Sequence, residues 1–216
     1  MKLILDFDDV LFNSKALKEV MFGVLRDEGM ENGEDLYEVE RRSGRAFVPR
    51  DFLRRACRTQ EDEGDTIIEV DVDSMYEKIM GRCPDFVNQE LVALVQSVGK
   101  ENCYIISNGN KEFQEDKVVR ANLNTMVTKV IVVPGTKSVE IEQICKEFSN
   151  EEIVFVDDKS IYFDDLDREA CKNLKTVLYN ENGLESLKVE LKASRLLEQS
   201  RDKEIYMQVP AGIMMR

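Results

Sequence analysis

The sequence predicts an α/β fold built on a doubly wound parallel sheet, and two observations carry this prediction. Short apolar runs with strand character alternate with amphipathic segments at helical spacing through most of the second half of the chain. Three of the apolar runs, at residues 2–5, 103–106 and 153–156, end in polar or acidic residues. Open parallel sheets bind ligands at the carboxyl ends of their strands, so the same pattern predicts a site for a hard cation and an anionic substrate.

The elements of the first half begin with a strand and a helix that we expect to continue to about residue 27, with Asn13 or Ser14 as its cap. From there to Pro84 the strand signal is weak and short helical pieces fit better. One of these pieces begins at Ser74, and Ser74 and Glu77 have the spacing of a capping box. This stretch interrupts the alternation of strands and helices. We therefore predict a small helical cap, residues 15–84, inserted after the first strand and helix.

The elements of the second half restore the alternation, so that residues 1–14 and 85–183 are predicted to form the core. Residues 184–216 are predicted to form a last charged helix, 184–203, and a tail. The remaining predicted elements are helix 86–98, strand 103–107, helix 111–121, strand 130–133, helix 138–148, strand 153–156, a helical stretch near 161–172 and strand 175–178.

Composition limits the function. The chain of 216 residues is 43% hydrophobic, enough for a core with an insertion, and its formal net charge of −13 argues against nucleic acid as a general partner. Histidine is absent, which removes the commonest general base and the usual transition-metal ligand. Any chemistry must then use carboxylates, hydroxyls, lysine, arginine and a hard cation such as Mg²⁺.

The expected location is the cytoplasm, with no membrane association. The apolar stretches are much shorter than a membrane span, and the chain opens with a strand and not with a signal sequence. The cysteines are odd in number and lack the spacing of a zinc site, so we expect reduced packing residues. They are Cys57, Cys83, Cys103, Cys145 and Cys171. The oligomeric state is not predicted.

The first acidic cluster follows the first strand. Asp6 and Asp8 are two residues apart at a strand end, between the apolar residues of the strand and Val10 and Leu11. Carboxylates packed together need a cation to balance them, and oxygen ligands of this kind suit Mg²⁺. The alternative is a solvated acidic turn. Asp157 and Asp158 repeat the pattern after the strand at 153–156, and this repetition favours the functional interpretation.

Two further candidates could bind the oxygens of a phosphate. Ser107 ends an apolar run, and its hydroxyl together with the backbone N–H groups of Asn108 and Gly109 faces the start of a predicted helix, although Ser-Asn-Gly is also an ordinary turn. Lys137 stands just before another predicted helix. It could reach the crevice as a fixed positive charge or simply be solvated.

In chain order these four elements resemble the motifs of the haloacid dehalogenase-like (HAD) superfamily. The resemblance is carried by Asp6-Phe7-Asp8-Asp9-Val10-Leu11, Ser107, Lys137 and Asp157-Asp158, and it covers about residues 1–180. The first motif is the most specific. The stretches 11–14 and 108–114 are similar to those of small uncharacterised bacterial HAD hydrolases. The chain departs from the common pattern at Asp9, where glycine is usual, and at Tyr162, where a further Asp would stand.

The resemblance implies a Rossmann-like core and a Mg²⁺-dependent phosphatase for a small phosphorylated substrate. Asp6 would attack the phosphoryl group to form an aspartyl-phosphate, and Asp8 would protonate the leaving oxygen and then activate water. Mg²⁺ would lie between Asp6, the backbone carbonyl of Asp8 and Asp157 or Asp158, while Ser107 and Lys137 hold the transferring oxygens.

Other functions remain open alongside this one. Dehalogenase-type members lack the second Asp of the first motif, so the resemblance disfavours halide chemistry. The alternatives are a non-catalytic HAD-like module that binds an anionic ligand or a protein for regulation, and a sugar phosphomutase that passes the phosphoryl group to a second sugar.

A basic block inside the predicted cap gives the only indication of the substrate. Residues 41–58 carry seven arginines and one acid, and residues 59–73 carry seven acids and no base. The two blocks could pair with each other on the surface. The functional interpretation is that some of the arginines, Arg54 and Arg55 among them, recognise a second anionic group on the substrate. Contact with nucleic acid is less favoured because aromatic residues are few here.

Overall fold

The computed structural model describes residues 1–62, 71–180 and 183–192 and confirms the predicted α/β class. Its five-stranded sheet is parallel throughout and has the strand order β3-β2-β1-β4-β5, which puts the first strand at the centre. The strands are β1 (Lys2–Leu5), β2 (Cys103–Asn108), β3 (Lys129–Val133), β4 (Ile153–Asp157) and β5 (Leu174–Leu178).

The helices lie at the positions that the apolar spacing predicts, with small shifts at their ends. Five of them, α1 to α5, lie between β1 and β2, and the first four lie where the sequence predicts the cap. The division into core and cap stays a prediction. The helices are α1 (Ser14–Asp27), α2 (Gly33–Arg42), α3 (Pro49–Asp62), α4 (Val72–Met80), α5 (Gln89–Val98), α6 (Lys111–Arg120), α7 (Ser138–Glu147), α8 (Ile161–Asp164) and α9 (183–192).

Two local predictions are wrong, and one extends beyond the described residues. The helical stretch near 161–172 ends at Asp164, because the Asp167 carboxylate accepts the N–H groups of Glu169 and Ala170 in a turn that competes with a helix. The cap of α4 is Asp71, which accepts the N–H groups of the residues two and three positions later, so Ser74 lies within the first turn. Of the predicted helix 184–203, only the part up to residue 192 is described.

The core lies on both faces of the sheet because neighbouring strand residues point to opposite sides. Leu3 and Leu5 of β1 face a cluster that includes α1, α4, α5 and α9, whereas Ile4 faces a second cluster with α7 and Phe163. Every strand residue from Leu3 to Leu5 is fully buried. Helices on two faces of a parallel sheet are what a doubly wound topology requires.

The register of the three central strands aligns the polar residues that follow them. Leu5 pairs with Ile105 on one side and with Val156 on the other. The next residue of the chain, Asp6, is therefore level with Asp157 and one residue short of Ser107. Its N–H donates to the carbonyl oxygen of Val156 at 2.9 Å, which continues the ladder to this point.

A tight turn after β1 sets the direction of the first acidic residues. The rings of Phe7 and Phe12 stack with centroids 4.9 Å apart, and the Phe12 N–H donates to the Phe7 carbonyl oxygen. Between them Asp9 has a φ of 58°, a left-handed conformation that glycine adopts without strain. Its carboxylate accepts the N–H of Ser14 at 3.2 Å, which compensates part of this strain. The structure thus gives a reason why glycine suits the position after Asp8.

Helix α4 is joined to α6 by polar contacts at the surface of the helical segment. The Tyr76 hydroxyl donates to Asp116 at 2.7 Å. Burial raises the pKa of Tyr76, and this hydrogen bond raises it further. Arg120 contacts Asp116 and makes two parallel hydrogen bonds of 2.8 Å to Glu77. Bidentate pairs of this kind fix geometry as well as adding energy.

None of the helices among the described residues is both long enough and apolar enough to pass through a membrane. All five cysteines are unpaired, and every one except Cys57 is buried, as expected for packing residues.

The left-handed turn yields a stability prediction. Asp9→Ala removes the acceptor of the Ser14 N–H and keeps a side chain at positive φ, so the free energy of unfolding should fall by about 1–2 kcal/mol. Asp9→Gly loses the same acceptor but fits the backbone, and it should be more stable than the alanine variant by about 0.5–1 kcal/mol. Urea denaturation of both variants measures the difference. An alanine variant at least as stable as the glycine variant would contradict the role of the backbone.

Candidate active site

The centre of the site is a buried lysine between two buried carboxylates. Lys137, which precedes α7, places its Nζ 2.7 Å from Asp6 Oδ1 and 2.6 Å from Asp157 Oδ2. All three side chains are at most 5% exposed. The ends of β1 and β4 and the start of α7 therefore meet at one point, as the sequence predicts for Asp6, Asp157 and Lys137.

The two carboxylates differ in the oxygens they leave accessible. Asp157 uses both, since Oδ2 contacts Lys137 and Oδ1 accepts the N–H of Lys159 at 2.9 Å. Asp6 receives both of its donors, Lys137 and the N–H of Phe7 at 2.7 Å, on Oδ1. No described residue donates to Asp6 Oδ2, so this oxygen is available to react or to bind a cation.

The electrostatics of Asp6 disfavour a bare negative charge. Burial raises the pKa of Asp6 above its usual range, Lys137 opposes this shift, and the nearby charges of Asp157 and Asp8 raise it further. Carboxylates that repel one another in a buried place are stabilised by added positive charge.

A candidate cation site is formed by Asp6, Asp157 and Asp158, whose carboxylate oxygens lie within 4.8 Å of one another. Asp158 Oδ1 is buried and accepts no hydrogen bond, and the closest described cation is Lys159 at 3.7 Å. Burial raises the pKa of Asp158 despite that lysine. All-oxygen donors with an excess of negative charge fit Mg²⁺. Because both Asp157 oxygens are engaged, Asp6 and Asp158 are the better ligands.

Asp8 lies outside this group and is held by α1 and α6. Its Oδ1 accepts hydrogen bonds from the Ser14 hydroxyl at 2.5 Å and from Lys117, and its Oδ2 accepts the side-chain amide of Gln114 at 2.7 Å. Burial alone would raise the pKa of Asp8, but the charge of Lys117 and these hydrogen bonds outweigh it, so the pKa is lowered. The carboxylate of Asp8 has a fixed orientation, half-buried at the edge of the sheet.

Sequence reasoning missed Lys117 and Gln114, which the structure places directly at the site. Lys117 is nearly fully buried, with its Nζ about 5 Å from the ring centroids of Phe7 and Phe113. The signal was present in the spacing of α6, because Gln114 and Lys117 share the inward face with the buried Val118. Polar residues on the buried face of an amphipathic helix indicate a specific partner.

Ser107 lies at the site with an unused hydrogen-bonding group. Its side chain is fully buried, and its Oγ has no hydrogen-bond partner. A buried hydroxyl without a partner is unfavourable by about 1–3 kcal/mol, so the position is suited to a ligand oxygen that accepts a hydrogen bond from it.

Asn108 and Gly109 border the site in ways that the sequence did not predict. The Asn108 side chain donates one of its two N–H groups to the carbonyl oxygen of Gly135. The Gly109 N–H donates to the Val133 carbonyl oxygen at 2.9 Å, so this backbone donor is not free for a ligand in this conformation. Gly109 has a φ of 142°, and a Cβ there would lie 2.9 Å from Gln114 Nε2. The glycine thus allows the close approach of the side chain that holds Asp8.

A cavity of about 450 Å³ opens over Asp8, between the edge of the sheet and the helical segment. Two arginines of the basic block, Arg41 and Arg45, line it. The lining also includes Asn108, Gly109, Gln114, Lys117 and Lys159.

The structure does not bring Arg54 and Arg55 to this cavity. Arg54 pairs with Asp51 at 2.8 Å and Arg55 with Glu40 at 2.7 Å, and both are about half exposed. One contact between the basic and acidic blocks is described, from Arg50 to Asp73 at 3.0 Å. The acids at 63–70 lie outside the described residues.

Solved structures provide the comparison. The chain is similar to a protein from Burkholderia xenovorans described as haloacid dehalogenase-like, with 19% identity, 84% of this chain and 86% of that chain covered, and a TM-score of 0.58. It is similar to a hydrolase from Streptococcus pneumoniae, with 11% identity, 88% and 97% coverage and a TM-score of 0.52. It is also similar to a haloacid dehalogenase-like family hydrolase from Xanthomonas campestris, with 16% identity, 91% of this chain and 94% of that chain covered, and a TM-score of 0.50. No family model and no curated protein matches the sequence.

These similarities define the class of fold. The chain has the fold of HAD-like hydrolases, a five-stranded parallel sheet flanked by helices, as its four sequence motifs led us to expect. The residues of these motifs all lie at the same edge of that sheet, and they are Asp6, Ser107, Lys137 and Asp157-Asp158.

The bridging lysine yields a second prediction. Lys137→Met leaves Asp6 and Asp157 buried without their counter-charge, so the free energy of unfolding should fall by about 3–5 kcal/mol. Urea denaturation with a chelator present measures this, since an added divalent ion could replace the lost charge. Lys172→Met, which removes an exposed pair with Glu169, is the matched control and should change stability by less than about 1 kcal/mol. Similar losses in the two variants would refute the structural role of Lys137.

Ser107 yields a prediction of the opposite sign. Ser107→Ala removes a buried hydroxyl that has no partner, so without ligand the free energy of unfolding should rise by about 1 kcal/mol. The control is Ser97→Ala, whose exposed hydroxyl donates to the Leu94 carbonyl oxygen and whose loss should not stabilise the protein. Thermal unfolding of both variants makes the comparison, and a destabilised Ser107→Ala would show that the hydroxyl already has a partner.

Proposed function

We propose that the protein is a Mg²⁺-dependent phosphomonoester hydrolase that works through an aspartyl-phosphate on Asp6. The observation that supports this most strongly is the convergence of Asp6, its orienting Lys137 and the unpartnered hydroxyl of Ser107 at one edge of the sheet. An oriented carboxylate beside a cation and a free donor is suited to attack a phosphoryl group and to hold its oxygens. Fold alone would not support a reaction, because similar sheets serve many functions.

In the first step, Asp6 Oδ2 forms a bond to phosphorus as the bond to the leaving oxygen breaks. Asp8, which has to bind a proton against its lowered pKa, gives that proton to the leaving oxygen, and the alcohol leaves. The donors around Asp8, from Ser14, Gln114 and Lys117, stabilise the carboxylate that remains. Lys137 keeps the Asp6 carboxylate in place by holding Oδ1.

In the second step, water attacks the phosphorus of the aspartyl-phosphate and gives a proton to Asp8. The bond from phosphorus to Asp6 breaks, which releases inorganic phosphate and restores both aspartates. The hydroxyl of Ser107 and the charge of Lys137 hold the phosphoryl oxygens through both steps.

Asp6 and Asp158 would hold the cation, with Asp157 fixed between Lys137 and the backbone. Mg²⁺ bound there would supply positive charge where the anionic nucleophile meets an anionic phosphoryl group. The acidic cluster with its unpartnered Asp158 oxygen supports this part of the proposal. The substrate is a small phosphorylated molecule, and the free thiols of all five cysteines support a cytoplasmic setting.

The proposed function predicts release of phosphate from 4-nitrophenyl phosphate with Mg²⁺ and none with excess chelator. Asp6→Asn should lower the rate by at least about 10³-fold, because the amide oxygen is a poor nucleophile. Asp164→Asn, an exposed aspartate at the end of α8, is the matched control and should keep the activity of the unaltered chain.

Each other outcome has a definite meaning. Full turnover by Asp6→Asn would exclude it as nucleophile. Halide release from a 2-haloacid without phosphate release would overturn the phosphatase assignment. Mg²⁺ binding without cleavage of a broad set of phosphate esters would favour the non-catalytic alternative, and label passing from one sugar phosphate to a second sugar would indicate a phosphomutase.

A further inference from the structure

The cavity above Asp8 is larger than a phosphate group requires. Its volume of about 450 Å³ lies in the range of sites that enclose a whole small molecule. Its lining includes Asp8 and Lys159, which is 3.7 Å from Asp158 of the acidic cluster, as well as residues of α2 and of the loop after it. A phosphate ester bound at the sheet edge would therefore extend its body into this space.

Much of the lining of the cavity is apolar, and part of it is aromatic. The ring of Phe47 lies 5.2 Å from Tyr37 and 6.1 Å from Phe113, both in edge-to-face arrangements. Leu17, Met21 and Ile79 line the same cavity. Such a wall favours a ligand whose body is apolar or aromatic over one that is hydroxylated on all sides.

The charge of the cavity has the opposite sign to that of the chain. Five cationic side chains line it against one acid, Asp8, although the chain as a whole has a net charge of −13. The five are Lys18, Arg41, Arg45, Lys117 and Lys159.

Three of these cations already have an acidic neighbour. Lys117 contacts Asp8, Arg41 pairs with Glu38 at 2.9 Å, and Lys159 lies 3.7 Å from Asp158. Lys18 and Arg45 form no ion pair with any residue among those described. Lys18 instead lies with its Nζ 5.5 Å from the centroid of the Tyr37 ring, which also lines the cavity.

We propose that Lys18 and Arg45 bind a second anionic group of the substrate, so that the preferred substrate is a phosphomonoester with an apolar or aromatic body that carries a carboxylate. The inference rests on the proposed function for the phosphate end of the cavity. Cations that form no ion pair, in a cavity with an apolar lining, are complementary to a ligand that carries a second anion besides its phosphate. Arginine is suited to this role because its planar guanidinium matches a carboxylate in two hydrogen bonds.

The test compares phenyl phosphate with 4-carboxyphenyl phosphate, which differ only in the second anion. Dissociation constants are measured by calorimetry on Asp6→Asn with Mg²⁺, so that binding is read without turnover, and KM and kcat are measured on the chain with Asp6 intact. The carboxylated ester should bind about tenfold more tightly, as expected for one or two charge-assisted hydrogen bonds. KM should follow the same ratio, with kcat little changed.

Arg45→Ala and Lys18→Met, each made in both backgrounds, should reduce this preference while leaving the affinity for phenyl phosphate within about twofold. Arg42→Ala is the matched control, because Arg42 is exposed in α2 beside Arg41 but does not line the cavity. Arg45 is exposed in a loop, and an unchanged thermal midpoint establishes that its variant is folded.

The outcomes separate this inference from the function beneath it. Equal binding of the two esters, or a loss in Arg42→Ala as large as in Arg45→Ala, would overturn the second anion site even if both esters are hydrolysed. A tenfold preference that depends on Arg45, with no hydrolysis of either ester, would support the anion site and reject the phosphatase. A preference in binding and in KM supports both.

Discussion

The contact on which the site depends is that of Lys137 with Asp6 and Asp157. Two carboxylates at the ends of neighbouring parallel strands would repel each other in a buried place, and a single ammonium group between them makes the arrangement stable. The contact also selects among the oxygens. It occupies Asp6 Oδ1 and Asp157 Oδ2, and the Lys159 N–H takes the other oxygen of Asp157. Asp6 Oδ2 and Asp158 Oδ1 are what remains for chemistry.

Much of this centre could be predicted from the sequence, because a parallel sheet obeys a simple rule. Each apolar run is a strand, the strands share one direction, and whatever follows them meets at one edge. Asp6, Ser107 and Asp157 needed nothing more than their places after such runs. Lys137 is less determined by this rule, since it follows β3 by several residues, and the family resemblance supplied its role.

The remaining parts of the site depend on the rotation of helices, which local sequence constrains poorly. Gln114 and Lys117 are polar residues on the inward face of α6, and their partner, Asp8, is more than one hundred residues away. Asp8 itself could be placed near the site, but its separation from the cation cluster follows from the turn stacked on Phe7 and Phe12. The same reasoning applies to the basic block. Its charge was evident, whereas the structure orients Arg41 and Arg45, and not Arg54 and Arg55, towards the cavity.

The link between α4 and α6 has a mechanical consequence. Tyr76 and Glu77 hold the helix that presents Gln114 and Lys117 to Asp8. Their hydrogen bonds go to Asp116, which lies between those two residues in the chain, and to Arg120, about one turn after Lys117. Sliding α4 over α6 would break several charge-assisted hydrogen bonds at once. Helix α4, which contributes Ile79 to the cavity, and the residues that hold Asp8 are therefore joined, and the distance between them is set by contacts outside the lining of the cavity.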